Sequence, residues 1–379
     1  MTYLFLVLLC GLPWANFLLN KFDIWHAQGM FFQFGILLLF CWSFIEKPKY
    51  NFIQNKPLAS LILWMGIITA VVWGQVLVDR QTYAIKIFLP FFNFLCFMFF
   101  YKLSVEYLDT ENIERILKYL SYSVIVILFY CVLQKLNLDQ FYTAVFDKGG
   151  VNLGHIGDDA LVGTIGNSSH LAGYLALCQP LFFNKKGVFP LLLLWTIILL
   201  TGSLSGVLGG VAVLLFWLTM KKKWALLWSF CVISIISIIL LWIKYPVFFS
   251  LSGRMGFWKI LWGKFFIKPI TGWGLGTVGA WQIKIQGSNW RHAHQEYLQM
   301  AVEIGLIGLG IIFWGIWEYF RVFWKARKND LAIRLASIFT GFLVLSLLNF
   351  PAHLWLTGSM AIIGYAWIYT IHNEVLNGG

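Results

Sequence analysis

The sequence predicts an all-α, polytopic integral membrane protein with about twelve transmembrane helices and one large outer loop. Three observations carry this reading. Of 379 residues, 60% are hydrophobic and 12% charged, with a mean hydropathy of +0.76. Soluble domains carry about 25% charged residues, and a chain this apolar has too little polar surface to face water. Apolar runs of the ~20 residues needed to cross a bilayer recur along the chain. The one long basic stretch lies between two such runs, where its charge must sit in water or among headgroups because hydrocarbon excludes it.

Taken in order, the candidate spans lie near residues 2–20, 29–45, 58–78, 84–101, 116–136, 167–183, 188–201, 204–220, 224–243, 295–320, 331–350 and 354–372. Met1–Leu19 lacks a basic n-region and a small-residue cleavage site, so it reads as a first span that stays. Without an internal repeat, low-complexity tract or soluble segment, residues 1–379 read as a single membrane domain. With the N-terminus inside, sixteen Lys and Arg fall in cytoplasmic segments. Only five (Lys21, Arg80, Lys86, Lys135 and Lys148) fall in the short outer ones. That bias is the positive-inside pattern and puts both termini in the cytoplasm.

The same register leaves two larger outer segments, 137–166 and 244–294. The first is polar and Gly-rich and holds Asp147, His155, Asp158 and Asp159. It reads as a solvated loop, or one wall of a groove, because adjacent aspartates point in different directions. The second is basic despite facing outward and requires its own explanation. The formal charge of +12 does not indicate nucleic-acid binding, since the cations are scattered in short loops rather than gathered on a soluble domain. The six cysteines all lie in apolar runs without a metal-ligand spacing and read as packing residues.

Within 244–294, the candidates for chemistry converge on its C-terminal end. His294 precedes an apolar helix, with Glu296 two residues on and Glu303 about two turns on. A neutral imidazole there can accept a proton from a hydroxyl nucleophile; the alternative is a hydrogen-bonded structural histidine. Arg254 and Arg291 suit bidentate recognition of phosphate oxygens, with headgroup anchoring as the alternative. Lys259, Lys264 and Lys268 recur every four to five residues, as on one face of an interfacial amphipathic helix. Gly272-Trp273-Gly274-Leu275-Gly276 lacks the flanking strand and helix of a nucleotide-binding loop. Gly305, Gly308 and Gly310 suit close helix packing. Glu303, inside an expected span, reads as a functional or pairing residue, either for a loop arginine or for a histidine.

One ordered set of motifs resembles the bacterial O-antigen ligase/polymerase superfamily. It comprises Arg254…Trp258…Trp262, then Pro269-Ile270-Thr271-Gly272-Trp273-Gly274-Leu275-Gly276, then His294-Gln295-Glu296-Tyr297-Leu298-Gln299, then Glu303-Ile304-Gly305-Leu306-Ile307-Gly308. Weaker matches are Gly163-Thr164-Ile165-Gly166-Asn167 with Leu171-Ala172, and Asn349-Phe350-Pro351. Two positions depart from the pattern. Gln295 stands where an asparagine is usual, and Leu204, in Thr201-Gly202-Ser203-Leu204-Ser205-Gly206, stands where an arginine is frequent.

The resemblance implies a multi-pass glycosyltransferase of the bacterial inner membrane. Such an enzyme moves a glycan from undecaprenyl diphosphate to an acceptor on the periplasmic side, without a metal or other cofactor. Its partners would be the lipid-linked donor, a glycan or lipid A–core acceptor, and membrane lipids. His294 would act on the incoming hydroxyl, and Arg254 and Arg291 would hold the diphosphate. Glu303, Gln295 and the outer Arg80 would support them. Polymerase and protein O-oligosaccharyltransferase activities belong to the same superfamily, so the acceptor stays open. Secondary transport of an anionic solute is the reading from another class. It is disfavoured because no repeat pairs the two halves and the polar residues gather in one loop.

Overall fold

A computed structural model describes residues 1–15, 24–48, 55–78, 84–138, 161–183, 187–226, 252–281, 283–285 and 288–377. The first helices are α1 (Thr2–Gly11), α2 (Ile24–Ser43), α3 (Lys56–Val78), α4 (Ala84–Tyr107) and α5 (Thr110–Lys135). After them come α6 (Ser168–Cys178), α7 (Val188–Leu200), α8 (Leu204–Met220) and α9 (Ser252–Ile267). A short hairpin, β1 (Ile283–Ile285) with β2 (Ser288–Trp290), pairs Ile283 with Trp290. The chain closes with α10 (Glu296–Ala326), α11 (Asp330–Leu345) and α12 (Trp355–Asn377). Helix starts follow small polar residues at the edges of apolar runs: Asp109, Asn167, Ser203 and Asn329 each accept a backbone N–H of the first turn.

Phe88–Tyr107, Thr110–Lys135 and Glu296–Ala326 are each long and apolar enough to cross a membrane, and five further apolar helices are shorter. Leu63, Phe129, Leu192 and Trp317 stand exposed on these helices, so apolar side chains cover the outward faces as well as the core. At the centre lies α6, buried at every position from His170 to Cys178. It packs on α8, α11 and α12. Small residues permit the approach: a Cβ on Gly206 would lie 2.4 Å from that of Ala172, and one on Gly341 would lie 2.3 Å from a Val213 methyl.

The expected helix over 295–320 forms, but it is broken. Gly305 has φ 68° and ψ −173°, a conformation essentially confined to glycine. The break exposes backbone groups that would otherwise be orphaned in an apolar interior, and the turn 269–274 satisfies them. Trp273 N–H donates to Val302 O (2.9 Å), Gly274 N–H to Glu303 O (2.8 Å) and Leu306 N–H to Pro269 O (2.8 Å). Trp64 of α3 donates its indole N–H to Ile304 O at 3.0 Å. Gly305 is therefore not the packing glycine that the sequence suggests. The segment below the break, Leu306 to Ala326, rises about 30 Å and suffices for a span. Glu303 consequently sits at the level of the loop rather than deep within the helix.

Above the break, α9 covers Glu296–Val302. Phe257, Leu261 and Phe265, on one helical stripe, pack with Val278, Ala293, Leu298 and Val302 in a second, smaller core. Lys259 and Lys268 are exposed, while Lys264 lies over the Trp281 ring at 5.3 Å. Two other expected spans are shorter than their apolar runs. The run 167–183 leaves α-geometry at Gln179-Pro180 for a 3₁₀ turn. The run 331–350 stops at Leu345, because the chain turns ahead of Pro351. Most of the expected span 224–243, most of the segment 137–166, Arg80 and part of 244–294 lie outside the described residues.

Gly272 (φ 73°) faces the break so closely that a Cβ would lie 2.5 Å from Glu303 O, and one on Gly305 would lie 2.2 Å from Ile270 O. Gly272→Ala and Gly305→Ala should each lower the melting temperature of the detergent-solubilised protein, with a cost of about 1–3 kcal/mol or more. Gly310, with no atom within 4 Å of its Cβ position, should accept alanine with unchanged or raised stability. Equal behaviour of the three variants in thermal melts would show that the junction is not under this constraint.

Candidate functional site

The start of α10, the loop before it and the 346–353 turn meet at Phe350. Ala293 is fully buried and held on both sides: its N–H donates to Gln299 Oε1 (3.0 Å) and its carbonyl accepts the Trp258 indole N–H (2.7 Å). The next residue, His294, has φ 51°, a left-handed conformation rare for a residue with a side chain. Gln295 then starts the helix, its side-chain oxygen accepting the Leu298 N–H. The longer amide at this position therefore works as an N-cap.

Four histidines surround the Phe350 ring. His292 stacks on it face to face at 4.5 Å, and His294 meets it edge-on at 4.7 Å. His170 of α6 approaches edge-on at 5.7 Å, and His353 lies at 6.4 Å. The rings enclose a phenyl group rather than a common point. Among the described residues no group of three His, Cys, Asp or Glu side chains could hold a metal ion.

Charge around the histidines is unevenly divided. Burial, with the Arg254 charge adding to it, lowers His294 to about 4. Burial also holds His292 well below the usual imidazole range, reinforced by His353, His294, His170 and Arg291. Burial would lower His353 too, but the Glu296 charge and contact, with Glu303 adding to them, raise it to about 9. Glu296 Oε1 lies 3.0 Å from His353 Nδ1.

Arg254 is partly buried, donates from Nη1 to Leu348 O (3.3 Å), and has its own pKa lowered by burial. Arg291 is exposed at the rim. Glu303 is fully buried and, among the described residues, forms no ion pair with either arginine. It accepts the Val278 N–H and the Gln299 side-chain N–H, both at 3.3 Å, and Gln299 Nε2 in turn lies 3.1 Å from His353 Nε2. The histidine that Glu303 reaches is thus His353, through Gln299.

The structure therefore groups His294, Gln295, Glu303 and Arg254 and leaves Arg291 at the edge. It adds His170, His292, His353 and Phe350, which sequence reasoning did not place there. Three of these had a signal: Phe350 lies within the Asn349-Phe350-Pro351 match, His353 is two residues beyond it, and His170 is three beyond Asn167. The stretch around Leu204 also comes alongside, since Asn349 Nδ2 donates to Ser205 Oγ at 3.3 Å.

These shifts set a pH dependence of stability. His292 and His294 have folded pKa values below the ordinary ~6.5, so their contribution is complete above that pH and is lost as pH falls below it, for His294 toward about 4. His353 is raised, so its contribution is complete below ~6.5 and is lost as pH rises through about 9. Thermal melts of the purified protein should peak near neutral pH, and His353→Gln should remove the decline between about pH 6.5 and 9. An unchanged alkaline decline in that variant would assign it to other groups.

Comparison with known proteins adds one match. No curated protein is similar to this chain at a significant level. The family model described as O-antigen ligase matches residues 189–313, which run from α7 through α9 and the histidine loop to the part of α10 beyond its break. Over those residues the chain is similar to the O-antigen ligase family, in line with the motifs quoted above.

Proposed function

We propose that this protein transfers a glycan from undecaprenyl diphosphate to an acceptor hydroxyl at the outer face of the bacterial inner membrane. A lipid A–core sugar, or a similar glycan, is the acceptor class favoured by the family match. The observation that carries the reading is a histidine kept neutral beside an arginine, next to an apolar cavity. The cavity, about 250 Å³, lies between α3, α4, α10, α11 and α12. Leu61, Met65, Phe94 and Met300 line it, and Glu296 and Ser346 mark the end nearest the histidines. Such a site suits a ligand with a hydrocarbon chain and a polar head.

In the reaction, the acceptor oxygen attacks the anomeric carbon of the donor sugar and the bond from that carbon to the diphosphate oxygen breaks. His294 accepts the hydroxyl proton, for which it must start neutral, and its lowered pKa keeps it so across the physiological range. The diphosphate leaves with the electrons of the broken bond. Arg254 and Arg291 stabilise its charge, and Arg254 does so from a partly dry position where such contacts are stronger. Glu303 and Gln295 act in support, the first through Gln299 and the second as the helix cap. The cation bias of the loops puts this chemistry outside and both termini in the cytoplasm.

The test is transfer per folded protein, using lipid-linked glycan extracted from cells lacking this protein and three acceptors: lipid A–core, a second lipid-linked glycan, and a protein. His294→Ala should reduce transfer about 10²–10⁴-fold with protein level retained. Arg254→Ala should cost about ten- to a hundredfold, and Arg254→Lys should recover only part of that, because lysine lacks the planar fork. Wild-type transfer by His294→Ala would end the base assignment, and full activity in Arg254→Lys would leave Arg254 as an anchor. The acceptor that is used separates ligase from polymerase and from protein glycosylation.

A further inference from the structure

The tryptophans around the histidine loop differ in how they use their one polar atom. An indole carries a single N–H donor and no acceptor. Trp258 gives its N–H to Ala293 O (2.7 Å), Trp273 to Lys264 O (2.9 Å) and Trp64 to Ile304 O (3.0 Å). Each of these ties a ring to the backbone and is spent on the fold. Trp281 lies under the Lys264 ammonium at 5.3 Å, so a cation already occupies its face. Trp290 is different. Its N–H has no acceptor among the described residues, yet it is not a buried orphan, so the donor reaches the surface of the fold.

Three contacts set the position of Trp290. It ends β2 and pairs with Ile283 across the hairpin. Its ring packs on the fully buried Phe257 of α9 at 5.6 Å, tilted by 36°. The His294 ring meets it at 5.5 Å in an edge-to-face arrangement. Arg291, exposed at the rim, follows directly in the chain. Hydrogen bonds span about 2.7–3.2 Å between heavy atoms. A ligand of sugar size can therefore set one oxygen on His294 and another on the Trp290 N–H.

The character of the donor selects the ligand. An uncharged N–H set in an apolar ring suits an uncharged oxygen flanked by C–H groups, as in a sugar hydroxyl or ring oxygen. Phosphate oxygens are matched by charged donors, which here are the arginines. We propose that Trp290 is a sugar-binding residue of this site. It donates its N–H to an oxygen of the sugar presented to His294, and its ring, backed by Phe257, forms an apolar wall for that sugar's C–H edge. The inference rests on glycan transfer at His294. Two sugars meet there, one from the donor and one from the acceptor, and both have this chemistry.

The experiment measures transfer by purified full-length Trp290→Phe and Trp290→Ala, varying lipid-linked donor and acceptor separately. Trp290→Phe keeps an aromatic ring on Phe257 and His294 and removes the N–H. It should raise one KM about two- to tenfold, and Trp290→Ala should raise the same KM about ten- to a hundredfold. In both, kcat should stay within about twofold, because the contact is made equally before and during the reaction. A rise in donor KM assigns the contact to the donor sugar, and a rise in acceptor KM to the acceptor sugar. In the His294→Ala background the same substrate should lose affinity by the same factor, measured by direct binding. Wild-type KM values in Trp290→Phe, with a Trp290→Ala loss that merely follows the folded fraction, would make Trp290 a packing residue and overturn the proposal. So would a fall in kcat alone, which would mean that Trp290 only positions His294. Wild-type transfer by His294→Ala together with a raised KM in Trp290→Phe would remove the base assignment and keep this contact. Absence of transfer by the wild-type protein to every acceptor would remove both.

Discussion

The junction at Gly305 is the constraint on which the site depends. A helix interrupted at the edge of an apolar layer leaves carbonyls and N–H groups that neither lipid nor apolar side chains can satisfy. Here the Pro269–Gly274 turn closes that gap with its own backbone. This requires two backbones to approach where a single Cβ would collide, so Gly272 and Gly305 face each other. Once the turn is seated, α9 is anchored at its C-terminal end and the helical segment Glu296–Ile304 is held against it. The histidine loop is what remains between those two fixed parts. Its geometry follows from a backbone junction some ten residues away.

The electrostatic character of the site follows from this enclosure. In a low-dielectric pocket an imidazole keeps its proton only if an anion stands beside it. His292 and His294 lack a facing carboxylate and have Arg254 and Arg291 near, so burial and positive charge both favour the neutral ring. His353 has Glu296 at contact and Glu303 behind Gln299, and the balance reverses. Neighbouring rings of one residue type thus hold opposite protonation states at the same pH. A neutral ring, His292, and a charged one, His353, thus stand 5.0 Å apart, because Arg291 acts on the first and the carboxylates of Glu296 and Glu303 on the second.

Much of this was legible in the sequence, and the limits have physical causes. Hydropathy identifies helices because a lipid-facing surface leaves few other ways to satisfy the backbone. The expected helices therefore recur among the described residues, three of them long and apolar enough to cross a membrane. His294, Gln295, Arg254 and Glu303 could be singled out because polar residues flanking an apolar run stand out. His170 could not, since it lies within a run that reads as a span. His353 follows a proline turn that reads only as a span boundary. Gly305 reads as a packing glycine because spacing alone does not distinguish a helix contact from a helix break. That distinction lies in φ and ψ, which depend on a turn more than thirty residues earlier in the chain.

The Leu204 position now has a structural meaning. Ser203 and Ser205 share a contact at 3.2 Å, and Ser205 accepts a hydrogen bond from Asn349, the neighbour of Phe350. The start of α8 therefore abuts the histidine cluster, and an arginine in place of Leu204 would have added its charge beside it. Without that cation, this wall of the site is neutral and hydroxyl-rich, and the cation acting on His294 is Arg254. Arg254 uses one of its five N–H donors on Leu348 O. If the proposed donor binds here, its dianionic head falls to Arg254, with the exposed Arg291 beside it, and the apolar cavity takes its hydrocarbon chain.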